Sequence, residues 1–470
     1  MQFIRTKIIC TAGPSIQGIT MLRKLHHEGM DCVRINMSHS NHKEAQKVIN
    51  DIKTINSELK QFETPIATLL DTQGPEIRTG DTEMPLDLKT GDEVTLTVRD
   101  QVDVETSSIK INYKDLISSV NAGSKISVDN GLINFKVLSK TDNTLLCKVL
   151  DGGKLGSKRH VNLPGVRVNM PSITSKDLED IQFGIENNVD FIALSFVRAS
   201  DDLNKLRDIL EKKSSTAKII AKIENQEGLD NIHEICKASD GVMVARGDLG
   251  IETNLADLPN IQRRIMHACA KWGKRSIVAT HLLESMIENP TPTRAEVTDI
   301  ANAIYEGSDA IMLSGETSIG KHPVECVKFL KSIAIKTEQF KTLGYEDSLE
   351  LESDWQHLGV AAKELAQSIN ADGIIAVTRS GYTANIVSNA KPFKKPIFCF
   401  TNKVSTFRNL SLVGSSHANL IKDLSDHNET IKFITKQLKD YYKTKKNLKF
   451  VMISGIFSED HAEAIQIINF

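Results

Sequence analysis

The sequence predicts an α/β fold: a (β/α)8 TIM barrel carrying an inserted all-β lid domain, followed by a C-terminal α/β domain. Three observations predict it. Short apolar runs alternate with amphipathic helical stretches over most of the chain, about eight times, and eight such units close a parallel barrel. Nearly every apolar run ends in polar or charged residues. Between Gly74 and Asn169 the alternation stops and period-2 patterning with turn signals replaces it. A doubly wound open sheet shares the alternation. It does not by itself explain polar residues at the C-terminal end of so many strands.

The elements follow in order. Residues 6–10 (TKIIC) read as a strand, and Thr11-Ala12-Gly13-Pro14-Ser15 as a turn capping a helix near Met21–His27. Cys32–Asn36 is a second strand, Lys43–Leu59 a helix, and Ile66–Leu70 a third strand ending in Asp71-Thr72. The insertion contains alternating runs such as Glu93–Val98, with an Asp129-Asn130-Gly131 turn and another at Thr141–Asn143, so hairpins are expected. Gly74-Pro75 and Leu163-Pro164-Gly165 flank it as hinges. Strand runs then resume at Phe191–Phe196, Ile219–Glu224, Gly241–Arg246, Ser276–Thr280 and Ala310–Ser314, with helices such as Ser175–Glu186 and Leu203–Lys212 between them. One crossover helix is expected between the Ile219 and Gly241 runs. A charged bridge, Lys341–Asp354, leads to a helix at Leu358–Ile369 and strands at Gly373–Thr378, Pro396–Thr401 and Phe450–Ser454. The resulting domains are 1–73 and 170–345 for the barrel, 74–169 for the lid and 346–470 for the last unit.

Bulk properties limit the function. At 470 residues the chain exceeds one ordinary core. The 58 basic and 60 acidic residues nearly balance, which argues against nucleic acid or a membrane surface as the main partner. No apolar run approaches the roughly 20 residues that span a bilayer. The N-terminus enters a strand-like run with no signal-peptide core. The seven cysteines form no CxxC pair, and buried free thiols in a cytoplasmic protein are expected.

The chemistry is expected at the C-terminal ends of the barrel strands, where active sites of such barrels lie. The residues there are Arg34, Asn36, Ser38, Asp71, Thr72, Arg78, Lys222, Glu224, Asp248 and Thr280. Each alone has a bland reading, since an Arg after a strand is mostly a surface charge and a Glu there mostly solvated. Together they suit charge management around a phosphoryl group. Glu224 and Asp248 offer hard oxygens for Mg²⁺ or Mn²⁺, and Arg34 and Lys222 can neutralise phosphate oxygens. Asn36, Ser38, Asp71 and Thr72 offer one carboxylate among neutral oxygens, a mixture suited to a monovalent cation; the same residue types also cap helices. Thr293–Glu296 looks like a capping box. Thr378, Arg379, Ser380, Gly381 and Thr383 sit between a strand and a helix and can cradle a phosphate, or form an ordinary loop.

At this point the chain resembles pyruvate kinases. The motifs RINMSH (Arg34–His39), DTQGPEIR (Asp71–Arg78), VNLPG (Val161–Gly165), AKIENQEG (Ala221–Gly228), MVARGDLG (Met243–Gly250) and MLSGET (Met312–Thr317) all look like that family's signatures. The resemblance implies phosphoryl transfer from phosphoenolpyruvate to ADP, giving pyruvate and ATP, with Mg²⁺ (or Mn²⁺) and K⁺. It implies Mg²⁺ on Glu224 and Asp248, and K⁺ on Asn36, Ser38, Asp71 and Thr72. Lys222 and Arg34 would contact the transferring group, with Gly247, Asp248 and Thr280 around the rest of the substrate. Asn36, His39, Arg78 and Arg159 would meet the nucleotide. It further implies a homotetramer of the bacterial form without N-terminal extension, and allosteric control through the C-terminal domain by a phosphorylated sugar or a nucleotide. Glu76 is similar to members that need K⁺.

Departures from the family pattern are His281 for a usual Gln, Arg159 for a Lys and Asn130 for an Asp. The stretch Ser454–Ala464 reads SGIFSEDHAEA where fructose 1,6-bisphosphate binders tend to carry a Gly/Thr-rich turn, and Glu459 and Asp460 would repel that sugar. Two rivals keep the barrel: a metal-dependent aldolase or lyase stabilising pyruvate enolate, and a metabolite-binding paralogue without turnover. The first needs no lid or effector domain, and intact Lys222, Glu224, Asp248, Arg34 and Thr280 speak against the second.

Overall fold

The structure, a computed structural model, describes the whole chain except residues 1–3, 61, 83, 99–107, 167, 425, 444, 446 and 455–463. Eight parallel strands close into a barrel in chain order: β1 Lys7–Thr11, β2 Cys32–Asn36, β3 Ala67–Asp71, β4 Phe191–Leu194, β5 Lys218–Ile223, β6 Gly241–Ala245, β7 Arg275–Ala279 and β8 Ala310–Leu313. Both faces of each strand are covered, so they read as continuous apolar runs. The inward residues, among them Ile9, Leu69, Phe191, Ile220, Met243, Ile277 and Met312, fill the interior. The outward ones pack under the surrounding helices.

Several expected elements shift. Ser15 caps nothing: Pro14–Ile16 form a 3-10 turn, and the first helix, Ile19–Glu28, starts only after Gly18 at φ +87°. That conformation favours glycine and lets the chain change direction. The crossover from β5 to β6 is two short helices, Gln226–Asp230 and Ile232–Ala238, broken at Asn231. Arg246 and Thr280 lie just beyond β6 and β7, not inside them. The Thr293 box forms as expected, with the Thr293 hydroxyl accepting from Glu296 N–H and the Glu296 carboxylate accepting from Thr293 N–H.

The insertion between β3 and β4 holds a six-stranded sheet and a two-stranded piece. Its hairpin at Asp129-Asn130-Gly131 has three successive positive φ angles. Hairpins do not account for the whole sheet, because Glu93–Thr97 pairs in parallel with Ser108–Lys110, which no two-residue turn can join. At the entry hinge Gly74 adopts φ +76° and donates its N–H to Asp177. At the exit, Arg198 donates to the carbonyls of Val168 and Met170.

The C-terminal unit has five strands in the order Ser416–Leu420, Ile397–Thr401, Gly373–Val377, Lys449–Ser454 and Ala464–Asn469, the last one antiparallel. The first and last of these were not expected. The unit seals the base of the barrel: Leu412 is buried among the inward residues of the barrel strands. Around it, Arg408 pairs with Asp190 at 2.7 Å and Lys391 pairs with Asp309. The Ser411 hydroxyl donates to Pro65 O, and the Arg275 guanidinium to Asn385 Oδ1.

Candidate active site

At the other end of the barrel the strand order brings β2, β3, β4, β5 and β6 side by side, and their terminal residues converge. Asn36 and Asp71 are direct cross-strand partners. Lys222 is the inward residue near the end of β5. Its Nζ lies 3.1 Å from Asp71 Oδ1, 3.0 Å from Glu224 Oε1 and 2.6 Å from Ser195 Oγ. Arg34 reaches the other oxygen of Asp71 with Nε and Nη2, both at 2.6 Å, and Thr11 Oγ1 with Nη1 at 3.1 Å. Two cations and one carboxylate are thereby locked into a fixed geometry, with Glu224 on the far side of Lys222.

The electrostatics follow from burial. Asp71 is fully buried, which alone would raise its pKa; Lys222 and Arg34 outweigh that and hold it below the usual carboxylate range. Burial would lower Lys222, yet Asp71 and Glu224 prevail and its ammonium is held firmly protonated. Glu224 is pushed up to about 7, by burial first, against the pull of Lys222 and with Asp248 adding to the rise. Burial also raises Asp248, which stands within hydrogen-bond reach of Glu224. Two adjacent acids that both resist ionisation are a place where a cation gains most.

That donor set fits a divalent hard cation. Glu224 Oε2 already accepts the Phe196 N–H at 2.6 Å, which aims the carboxylate. Among the described residues no group of three or more His, Cys, Asp or Glu is placed to hold a metal ion. Two carboxylates with the remaining positions open to water and substrate oxygens match the habits of Mg²⁺. The Asn36, Ser38, Asp71 and Thr72 group also converges, with Asn36 Oδ1 accepting from Ser38 N–H and Ser195 Oγ donating to Thr72 O at 2.7 Å. One carboxylate among neutral oxygens suits a monovalent ion, which would share Asp71 with Arg34 and Lys222.

Thr280 and Gly247 meet across the rim. The Thr280 hydroxyl accepts the Gly247 N–H at 2.9 Å and donates to Ala279 O at 2.7 Å. Thr280 and His281 adopt φ +67° and +53°. A left-handed β-branched residue is a strained one, costing about 1–3 kcal/mol. The lid leans over this side. His160 Nδ1 lies 3.8 Å from Asp248 Oδ1, and burial keeps that imidazole below its ordinary pKa. Glu252, at the end of the helix Arg246–Glu252, accepts from Asn162 Nδ2 of the lid at 2.8 Å.

Other expected residues lie apart from the Lys222 cluster. Arg78 is engaged by Glu76 through Nε and Nη2 and donates to Lys158 O. Arg159 stands on the lid beside Asp129, half exposed. In the loop Thr378–Thr383, Arg379 and Ser380 are exposed while Thr378 and Thr383 are buried. The Thr378 hydroxyl turns inward to accept the Gly381 N–H. Glu459 and Asp460 lie outside the described residues.

Sequence reasoning missed Ser195, the Phe196 N–H, Glu252 and the Arg246 side chain. Signals for Ser195 and Arg246 existed: they follow the apolar runs Phe191–Leu194 and Gly241–Ala245, as the other strands end in their polar residues. The other two carry no such mark.

Comparison with known proteins identifies the family the chain resembles. The family described as "Pyruvate kinase, barrel domain" matches residues 3–327, and "Pyruvate kinase, alpha/beta domain" matches 356–468. Plastidial pyruvate kinase 2 of Arabidopsis thaliana is 42% identical over 411 residues, 87% of this chain and 70% of that protein. A pyruvate kinase of Staphylococcus epidermidis is 42% identical over 416 residues, with the same coverage. The crystal structure of a pyruvate kinase from Cryptosporidium parvum superposes with a TM-score of 0.93 at 32% identity, covering 99% of this chain and 96% of that one.

Proposed function

The chain belongs to the pyruvate kinase family, and we propose from that premise how its own residues divide the work. The reaction is phosphoryl transfer from phosphoenolpyruvate to ADP, giving pyruvate and ATP. The observation that carries the assignment of roles is Lys222, a buried ammonium held between Asp71, Glu224 and Ser195.

Lys222 and Arg34 face the transferring phosphoryl group. Because both are already anchored by Asp71, they meet the charge that spreads over its oxygens without reorganising. Glu224 and Asp248 would hold Mg²⁺ or Mn²⁺, and Asn36, Ser38, Asp71 and Thr72 would hold K⁺. When bound, these ions supply positive charge toward phosphate and carboxylate oxygens. Gly247, Asp248 and Thr280 line the pyruvate end. There Thr280, with its hydroxyl orientation fixed by Gly247 N–H and Ala279 O, directs a proton to the methylene carbon through water. Asn36, His39, Arg78 and Arg159 take the nucleotide. The lid, residues 74–169, closes over it and excludes water. We take residues 346–470 as an effector domain with the loop 378–383 as its phosphate site, in a cytoplasmic homotetramer.

A coupled assay of pyruvate release from phosphoenolpyruvate and ADP, with Mg²⁺ and with or without K⁺, tests this reading. Activity should depend on both ions. Lys222→Met should fold yet lose about 10³-fold or more in kcat, as expected when a principal transition-state charge is removed. Turnover near the parent rate in that variant would overturn the role given to Lys222.

A further inference from the structure

We propose that Arg246 is a positioning residue for the protonation half of the reaction: its guanidinium holds the strained Thr280–His281 turn in the conformation that presents the Thr280 hydroxyl. The inference rests on the role given above to Thr280.

Arg246 opens the short helix that carries Gly247 and Asp248 and is buried to 7% exposure. Two of its three nitrogens are spent on one piece of backbone. Nε lies 3.2 Å from both Ala279 O and Thr280 O, while Nη2 lies 2.5 Å from Thr280 O and 3.2 Å from His281 O. Nη1 closes the fork on Asp299, 2.9 and 2.7 Å from its two carboxylate oxygens. Three consecutive carbonyls therefore converge on one cation at the point where two consecutive non-glycine residues have positive φ.

A chain turned this way brings its carbonyls to one side, where their partial charges repel, and a buried guanidinium is the group that relieves this. The next peptide N–H, that of Gly247, holds the Thr280 hydroxyl itself. Two adjacent groups, the Arg246 side chain and the Gly247 N–H, thus fix both the backbone and the hydroxyl of Thr280. Asp299, on the helix Arg294–Tyr305, orients the guanidinium from behind. Lysine keeps the charge but cannot reproduce the fork.

The test separates the two half-reactions. Proton exchange is read as solvent deuterium entering the methyl group of pyruvate, with ATP, Mg²⁺ and K⁺ present. Phosphoryl transfer is read as ATP formed in a single turnover from phosphoenolpyruvate and ADP. Arg246→Lys should slow methyl exchange and kcat by about 30-fold or more, the scale of a misplaced reacting group. Single-turnover transfer and the KM for phosphoenolpyruvate should stay within about threefold, as expected where initial binding is unchanged. Asp299→Asn, at a partly exposed carboxylate, should act in the same direction more weakly, and it carries the test if Arg246→Lys does not fold. Adding His281→Gly to Arg246→Lys should restore part of the exchange, because glycine takes positive φ without strain.

Unchanged exchange, or equal losses in both half-reactions, in a variant with the parent melting temperature overturns the inference. Thr280→Val distinguishes its failure from that of the premise. If Thr280→Val loses exchange while Arg246→Lys and Asp299→Asn keep it, only the positioning role is wrong. If Thr280→Val keeps exchange, the role of Thr280 falls, and this inference with it.

Discussion

Glu252 shows how one buried acid ties the lid to the barrel. Its carboxylate accepts from the Asn162 side chain and from the Leu163 backbone, both at the lid's exit hinge. Burial pushes its pKa up to about 7 from 4.5, with the nearby charge of Asp248 adding to the rise. Between those values the folded protein keeps a proton that the unfolded chain has released. The stability owed to this group is therefore full at low pH and falls as pH rises through that window. Glu252→Gln removes the ionisation and keeps an acceptor for Asn162. The variant should gain about 3 kcal/mol over the parent at pH 8 and almost nothing at about pH 4. Urea unfolding at the two pH values measures this, and an equal effect at both would contradict the assignment. The same scale shows where the sequence was readable. Asp71, Lys222, Glu224 and Asp248 each follow an apolar run, a pattern visible in the residue string. The Phe196 N–H that aims Glu224 belongs to no side-chain pattern, so no motif could mark it.

The strand ends and hinges act at the next scale. The entry hinge at Gly74 packs directly on β4's end. A Cβ there would lie 2.8 Å from Ser195 Cβ and 2.9 Å from Phe196 Cδ2. With φ at +76°, the position resists any side chain. Gly74→Ala should cost about 2–3 kcal/mol from the backbone and the overlap together. It should also lower kcat, because Ser195 and Phe196 are the groups that hold Lys222 and Glu224. A variant with parent activity and an unchanged unfolding midpoint would refute that coupling. Element existence was legible here and element ends less so. Asn225 caps the first short helix of the crossover after β5 by accepting from Gly228 N–H. The crossover breaks at Asn231, whose side chain caps nothing and donates instead to Arg198 O.

At the scale of the whole molecule, the C-terminal unit stops the base of the barrel as a plug. Leu412 fills the interior where Phe191, Ile220 and Ile277 leave room. Leu412→Ala should destabilise by about 3 kcal/mol through lost burial and the cavity left behind. Because Leu412 belongs to both units, the two should then unfold in separate steps, which calorimetry resolves; one unchanged cooperative transition would count against the plug. The proposed regulation belongs to this scale too. Arg379 and Ser380 of the loop 378–383 are exposed, and on the sequence reading Glu459 and Asp460 would repel a sugar bisphosphate. Fructose 1,6-bisphosphate below millimolar concentration should therefore activate less than tenfold, an expectation set by that charge repulsion. A steady-state titration decides it, and tenfold or greater activation would reverse the reading.

The residue string by itself determined the barrel, the inserted sheet and the paired acids with their lysine. Strands buried on both faces must be apolar along their length, and the polar residues that end them mark the open rim. Only the tertiary structure decided what supports those groups. Ser195 meets Lys222 from 27 positions away, Asn162 meets Glu252 from 90, and Arg408 meets Asp190 from 218. Contacts at such separations leave no period in the sequence, since they arise from the closing of the barrel and the seating of the other units on it. The guanidinium of Arg246 is of that kind. In the sequence it is one charge beside a glycine; in the fold it grips the turn that carries Thr280.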